Sequence, residues 1–168
     1  MATLPSARRI TAIAGVMAVL LTAASCRRSV DPLAALEPVD VVTGWFDAGI
    51  VEGGKNKLVP SVTLKLRNKS DQAVYSVQIN AIFRRVGETE AWGEHYTWAV
   101  QRRELAQGQM TDPLVLRSQL GYTGEQPRLQ MLQNKEFVDA KVELFLKSGS
   151  RVWAKLAEYP IQRQLLTE

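Results

Sequence analysis

Val138-Asp-Ala-Lys-Val-Glu-Leu-Phe-Leu-Lys147 decides the fold class of this chain. Val138, Ala140, Val142, Leu144 and Leu146 alternate with Asp139, Lys141, Glu143, Phe145 and Lys147. Successive side chains of a strand point to opposite faces, whereas a helix repeats its buried positions at spacings of three and four. The segment therefore predicts a strand with one buried and one wet face. The same period appears upstream. Val77, Ile79, Ala81 and Phe83 alternate with Gln78, Asn80, Ile82 and Arg84, and Val62, Leu64 and Leu66 alternate with Thr63, Lys65 and Arg67. Residues 39–50, 96–100, 114–120 and 151–161 supply further, less regular strands.

Turn-forming clusters separate these runs: Gly53-Gly54, Asn68-Lys-Ser-Asp71, Val86-Gly-Glu88 and Ser148-Gly-Ser150. Only residues 126–134 break the period. Pro127 near the start, with Leu129 and Leu132 at helical spacing, predicts one short crossover helix. About seven short strands with one insertion point to an all-β fold, an antiparallel β-sandwich. Leu64-Lys-Leu-Arg-Asn-Lys-Ser70, Val74-Tyr-Ser-Val-Gln-Ile-Asn-Ala-Ile-Phe-Arg-Arg-Val-Gly87 and Leu105-Ala-Gln-Gly108 together resemble the FxLYD-like and related immunoglobulin-like domains of exported bacterial proteins. That resemblance implies an immunoglobulin-like sandwich and brings no active-site residues with it.

The N-terminus reads differently. Arg8 and Arg9 precede an uncharged run from Ile10 to Ala24, shorter than the roughly 20 apolar residues of a spanning helix. A positive start, an apolar centre and a small-residue exit are the three parts of a secretory signal. The residues after the arginine pair favour general export over the twin-arginine route. Ala23-Ala24-Ser25-Cys26 resembles the lipobox of bacterial lipoprotein precursors. The resemblance implies a diacylglyceryl group on the Cys26 thiol and cleavage just before it. Cutting after Ala24, to give a plain secreted protein, is the alternative. Cys26 is the only cysteine, and an exported protein with one free terminal thiol would be prone to cross-linking, which favours lipidation.

These readings divide the chain into a signal peptide (1–25), a lipidated N-terminus and tether (26–38) and a β-sandwich domain (39–168). Pro32 and Pro38 stiffen the tether, and Arg27 and Arg28 lie where anionic headgroups would attract them by roughly 1 kcal/mol each. The expected location is the periplasmic side of a membrane. Arg27 is not the Asp that retains some lipoproteins in the inner membrane, which favours the outer one.

The 168-residue chain has 46% apolar and 23% charged residues, ordinary globular usage. Its net charge of +4 includes Arg8 and Arg9; removing residues 1–25 leaves 19 basic against 17 acidic side chains. That near-balance argues against nucleic acid as a partner.

Chemistry-bearing residues are sparse. His95 is the only histidine, so no multi-histidine metal site can form, and no Gly-x-Ser-x-Gly elbow is present to hold a nucleophilic serine. No cofactor is expected. Glu88, Glu90 and Glu94 surround Trp92, in what reads as a solvated hairpin. Gly53-Gly54-Lys55 lacks phosphate-loop spacing and is a turn. The densest group is Trp92, Tyr96 and Trp98 with Arg84, Arg85, Arg102 and Arg103. On one sheet face these rings and guanidinium groups would suit an interface; packed inward, the rings would be core and the arginines would cap it.

The favoured function is a non-enzymatic binding or scaffolding lipoprotein of the cell envelope, held to the membrane through Cys26, with an envelope protein or polymer as partner. The contrasting class is an enzyme, or enzyme accessory, acting on envelope polymers through the Glu88–Glu94 region. A lipid-handling module would instead need a continuous apolar groove. Replacing Cys26→Ala should block lipidation and leave a stalled precursor or a soluble protein, read by fractionation and intact mass. A soluble wild-type protein with an unmodified Cys26 thiol would contradict the anchor.

Overall fold

A computed structural model describes residues 30–166. Cys26 and the signal segment lie outside them. A one-turn helix α1 (Pro32–Ala35) leads into β1 (Leu36–Val51), which turns through Glu52–Gly54 into β2 (Lys55–Asn68). Then follow β3 (Val77–Arg85), β4 (Gly93–Val100), β5 (Leu114–Arg117), β6 (Tyr122–Gly124), helix α2 (Arg128–Gln133), β7 (Ala140–Ser148), β8 (Ala154–Pro160) and β9 (Leu165–Leu166).

Two sheets face each other. One has the order β5-β2-β1-β9, with β6 also on β2, and the other the order β4-β3-β7-β8. All pairings are antiparallel except that of β9 with β1. The chain changes sheet four times, between β2 and β3, β4 and β5, β6 and β7, and β8 and β9, giving the crossed connections of an immunoglobulin-like sandwich. The count exceeds the expected seven because β6 and β9, only three and two residues long, leave no periodic trace.

The alternating residues form the core as the period requires. Val77, Ile79, Ala81 and Phe83 of β3 and Ala140, Val142, Leu144 and Leu146 of β7 are at most 1% exposed. Leu58, Val62, Leu64 and Leu66 of β2 and Leu116 of β5 meet them from the other sheet. Each of the Val, Leu, Ile and Phe side chains among them contributes about 1.5–3 kcal/mol of burial. Val138, expected to open this buried row, precedes β7 and is exposed. In α2 the buried pair is Met131 and Leu132, and Leu129 faces solvent.

The domain starts earlier than residue 39. Ala35 and Leu36 are fully buried, and Pro32 opens α1 behind Asp31, whose carboxylate accepts from Leu33 N at 3.2 Å. The tether therefore ends near residue 31. Close to α1, buried Asn68 fastens two loops. Its Nδ2 donates to Gln72 O and Leu105 O, both at 2.8 Å, while its Oδ1 accepts from Ser70 N and Oγ. Val74 and Leu105 then pair by backbone bonds in both directions.

Burial separates two chemically identical substitutions. Leu144→Ala should cost about 2–5 kcal/mol in urea unfolding, as a core truncation, and Leu129→Ala should stay within about 0.5 kcal/mol. The reverse order would mean that Leu144 does not face the core and that β7 is one residue out of register.

Candidate interaction surface

The outer face of the β4-β3-β7-β8 sheet gathers aromatic and charged side chains because those residues hold the alternate positions of its strands. Across it, Trp98 of β4 stands opposite Gln78 of β3, which stands opposite Lys147 of β7. The next outward row is Tyr96, Asn80, Phe145 and Lys155. Tyr96 is 52% exposed and Trp98 39%, far more than a core aromatic would be. Trp153, just before β8, reaches over the same face. Its ring meets Tyr96 edge-on at 5.9 Å, and Lys147 Nζ lies 5.8 Å from its centroid.

The group expected from sequence is thus divided. Tyr96 and Trp98 share the outer face. Trp92 does not: half-buried, it packs against the core, 6.1 Å from Trp45 and 4.9 Å from Tyr122. Arg85 lies over Trp92 at 5.2 Å. Arg84 is on the outer face but already engaged, its Nε donating to Glu143 at 2.8 Å and its guanidinium also to Thr89 O. Arg102 and Arg103 are exposed in the loop after β4, away from the strand rows, with Arg102 at a left-handed φ of 47°. Trp153 escapes a reading of the sequence because it lies far along the chain from residues 92–98; only the strand order β4-β3-β7-β8 brings it near Tyr96.

Beside the rings lies a charge cluster centred on Glu143. Arg84 Nε and Lys155 Nζ both donate to its carboxylate at 2.8 Å, and Lys141 stands at 3.9 Å. These cations, Arg84 first and then Lys155, hold the Glu143 carboxyl at a pKa of about 2. Glu158, bonded to Lys155 and Lys141, is lowered for the same reason. Glu143 is therefore not an ordinary surface acid.

The acids considered for catalysis are dispersed. Glu88 pairs with Arg85 at 3.3 Å in the turn, Glu90 is exposed, and Glu94 accepts from Asn80 Nδ2 at 3.4 Å on the outer face. His95 joins β4 to β5, its Nδ1 lying 3.1 Å from Arg117 O and 3.3 Å from Arg117 N. Among the described residues no group of three or more His, Cys, Asp or Glu side chains is placed to hold a metal. Beside α2, at the other end of the sandwich from α1, a cleft of about 100 Å³ is lined by Tyr122, Met131, Phe137 and Glu136 among others. It is small beside the roughly 300–1,000 Å³ of drug-sized ligand sites. Comparison with protein-family models, curated proteins and solved structures returns no match.

The Glu143 cluster sets a pH dependence. A carboxyl whose folded pKa of about 2 lies below its usual 4.5 stabilises the fold fully above 4.5, and that stability is lost as pH falls through 2. Discounted for screening by solvent, the effect is about 1–2 kcal/mol. Glu143→Gln should therefore be less stable than wild type at neutral pH by about that amount, with the gap closing between pH 4.5 and 2. Parallel pH–stability curves would refute the cluster's role.

Proposed function

We propose that this protein is a lipid-anchored, non-enzymatic binding or scaffolding module of the cell envelope, held through Cys26 on the periplasmic side, with the outer membrane favoured. Its partner is an envelope protein or polymer, received on the outer face of the β4-β3-β7-β8 sheet. The observation that carries the binding reading is the exposed set Tyr96, Trp98 and Trp153 beside Lys147 on that face. Rings left at the surface of an otherwise well-filled sandwich expose apolar area that a partner would bury. Aromatic side chains supply large, rigid contact area and are enriched at interface centres. An exposed sheet face of this kind suits a protein surface or an extended polymer better than a small ligand. Support for the anchor comes from the lipobox-like end of the signal segment and from a domain that begins close behind Cys26.

Combining Tyr96→Ala, Trp98→Ala and Trp153→Ala tests the surface. Truncation of a buried interface aromatic costs 2 kcal/mol or more, so the complex should weaken by about thirtyfold or more. With a photo-crosslinker at exposed Glu94, the variant should lose its crosslinked partner while keeping its thermal midpoint. Trp92→Ala, a truncation against the core, should lower the midpoint instead. Undiminished crosslinking in the folded triple variant would remove this face from consideration.

A further inference from the structure

The end of the sandwich where the chain enters carries a surface distinct from the aromatic face. Lys69 N donates to Ala35 O at 2.8 Å, Ser148 Oγ reaches Tyr75 O at 3.5 Å, and Arg151 stands 3.8 Å from Asp31. Residues 69–76, 101–104 and 149–152 therefore surround the entry point beside α1. They carry exposed Lys69, Arg102, Arg103 and Arg151. They also carry Val152, which at 83% has the highest exposure of the domain's exposed large apolar residues. Against these four cations stand three carboxylates, Asp31, Asp71 and Glu104; Asp31 caps α1 and lies near Arg151, Glu104 accepts from the Tyr75 hydroxyl, and this end carries a net charge of +1.

Resting on the reading of Cys26 as lipidated, we infer that this end of the sandwich docks on the anionic headgroup surface of the membrane that holds the anchor. Between Cys26 and Pro32 stand five residues, Arg27 to Asp31. At 3.3–3.6 Å per residue that tether reaches at most about 20 Å, so the entry end cannot leave the neighbourhood of the bilayer. Confinement on this scale acts as an effective concentration in the millimolar range, at which weak contacts become populated. Arg27 and Arg28 add two positive charges, raising the balance to +3, and that sign matches anionic headgroups. Val152 is the apolar residue placed to enter the interface. Docked this way, the face bearing Tyr96 and Trp98 stands on the domain's side, open to a partner near the membrane.

Fluorescent labels on Val152→Cys and, at the opposite end, on Ile50→Cys test this with the full lipidated protein in phosphatidylglycerol-rich vesicles containing headgroup-quenching lipids. The label at position 152 should be strongly quenched and that at 50 should not. Replacing Lys69, Arg102 and Arg103 with Gln should weaken docking by about a hundredfold, at roughly fivefold per cation, bringing quenching at 152 down to the level at 50. Equal quenching at both positions, with the protein still floating with the vesicles, overturns the docking and spares the anchor. Protein that fails to float and keeps a free Cys26 thiol overturns both. Crosslinking of position 152 to a protein, without lipid quenching, also overturns it.

Discussion

The register of β3 on β7 is the constraint from which the rest of the structure follows. Nine residue pairs, from Val77 with Ser148 to Arg85 with Ala140, run without a shift through the middle of one sheet. A slip of one residue would bring Gln78, Asn80 and Arg84 into the core and expose Ile79 and Phe83, so the apolar face itself fixes the pairing. The only cysteine is Cys26, and no disulfide can share this work. The irregularities lie away from this pair: β4 shifts at Val77/Gln78, β8 at Leu144/Phe145, and β1 against β2 at two places. Bulges bend and twist a sheet toward its rim, where the loss of a ladder bond matters least.

Polar and small residues close what the apolar face leaves open. Asn68 is buried with four hydrogen bonds, so its removal would untie the two loops and leave the Gln72 and Leu105 carbonyls with one donor each, Ser70 Oγ and Val74 N. At Gly44 a Cβ would stand 2.8 Å from the Leu166 side chain and 2.9 Å from Gln164 O. Its absence lets β9 settle against β1, where Trp45 N donates to Gln164 O at 2.8 Å. The chain's last described strand is thus admitted by one glycine in its first.

The same parity that builds the core creates the surface proposed for binding. Whatever β3, β4 and β7 do not bury, they display in rows on one face, and those rows contain both the Tyr96–Trp98 rings and the Glu143 charge cluster. The cluster satisfies its own members. Of the rings at the solvent side, Trp153 touches Tyr96 and Lys147, but Tyr96, Trp98 and Trp153 each keep more than a third of their surface exposed. That difference separates residues that hold the fold from residues available to a partner, and it removes Arg84 from the second class.

Period-two segments alone specify β3 and β7 with their buried residues, and the second half of β2 with Val62, Leu64 and Leu66, because alternation is a local property that every folded arrangement must respect. Leu58 to Ser61 are buried without alternation and give no such signal. Turn clusters and Pro127 locate the hairpins and α2 for the same reason. The fate of Trp92 was not legible. It has the parity of Tyr96 and Trp98, but β4 starts only at Gly93, and ahead of it the chain lets the ring turn toward Trp45 and Tyr122. Nor could local sequence assemble Tyr96 with Trp153, since the neighbourhood of side chains more than fifty residues apart is set by strand order. Period determined which residues of the regular strands would be inside; only the tertiary structure decided where those strands end, where Trp92 turns, and which of the outside residues would meet.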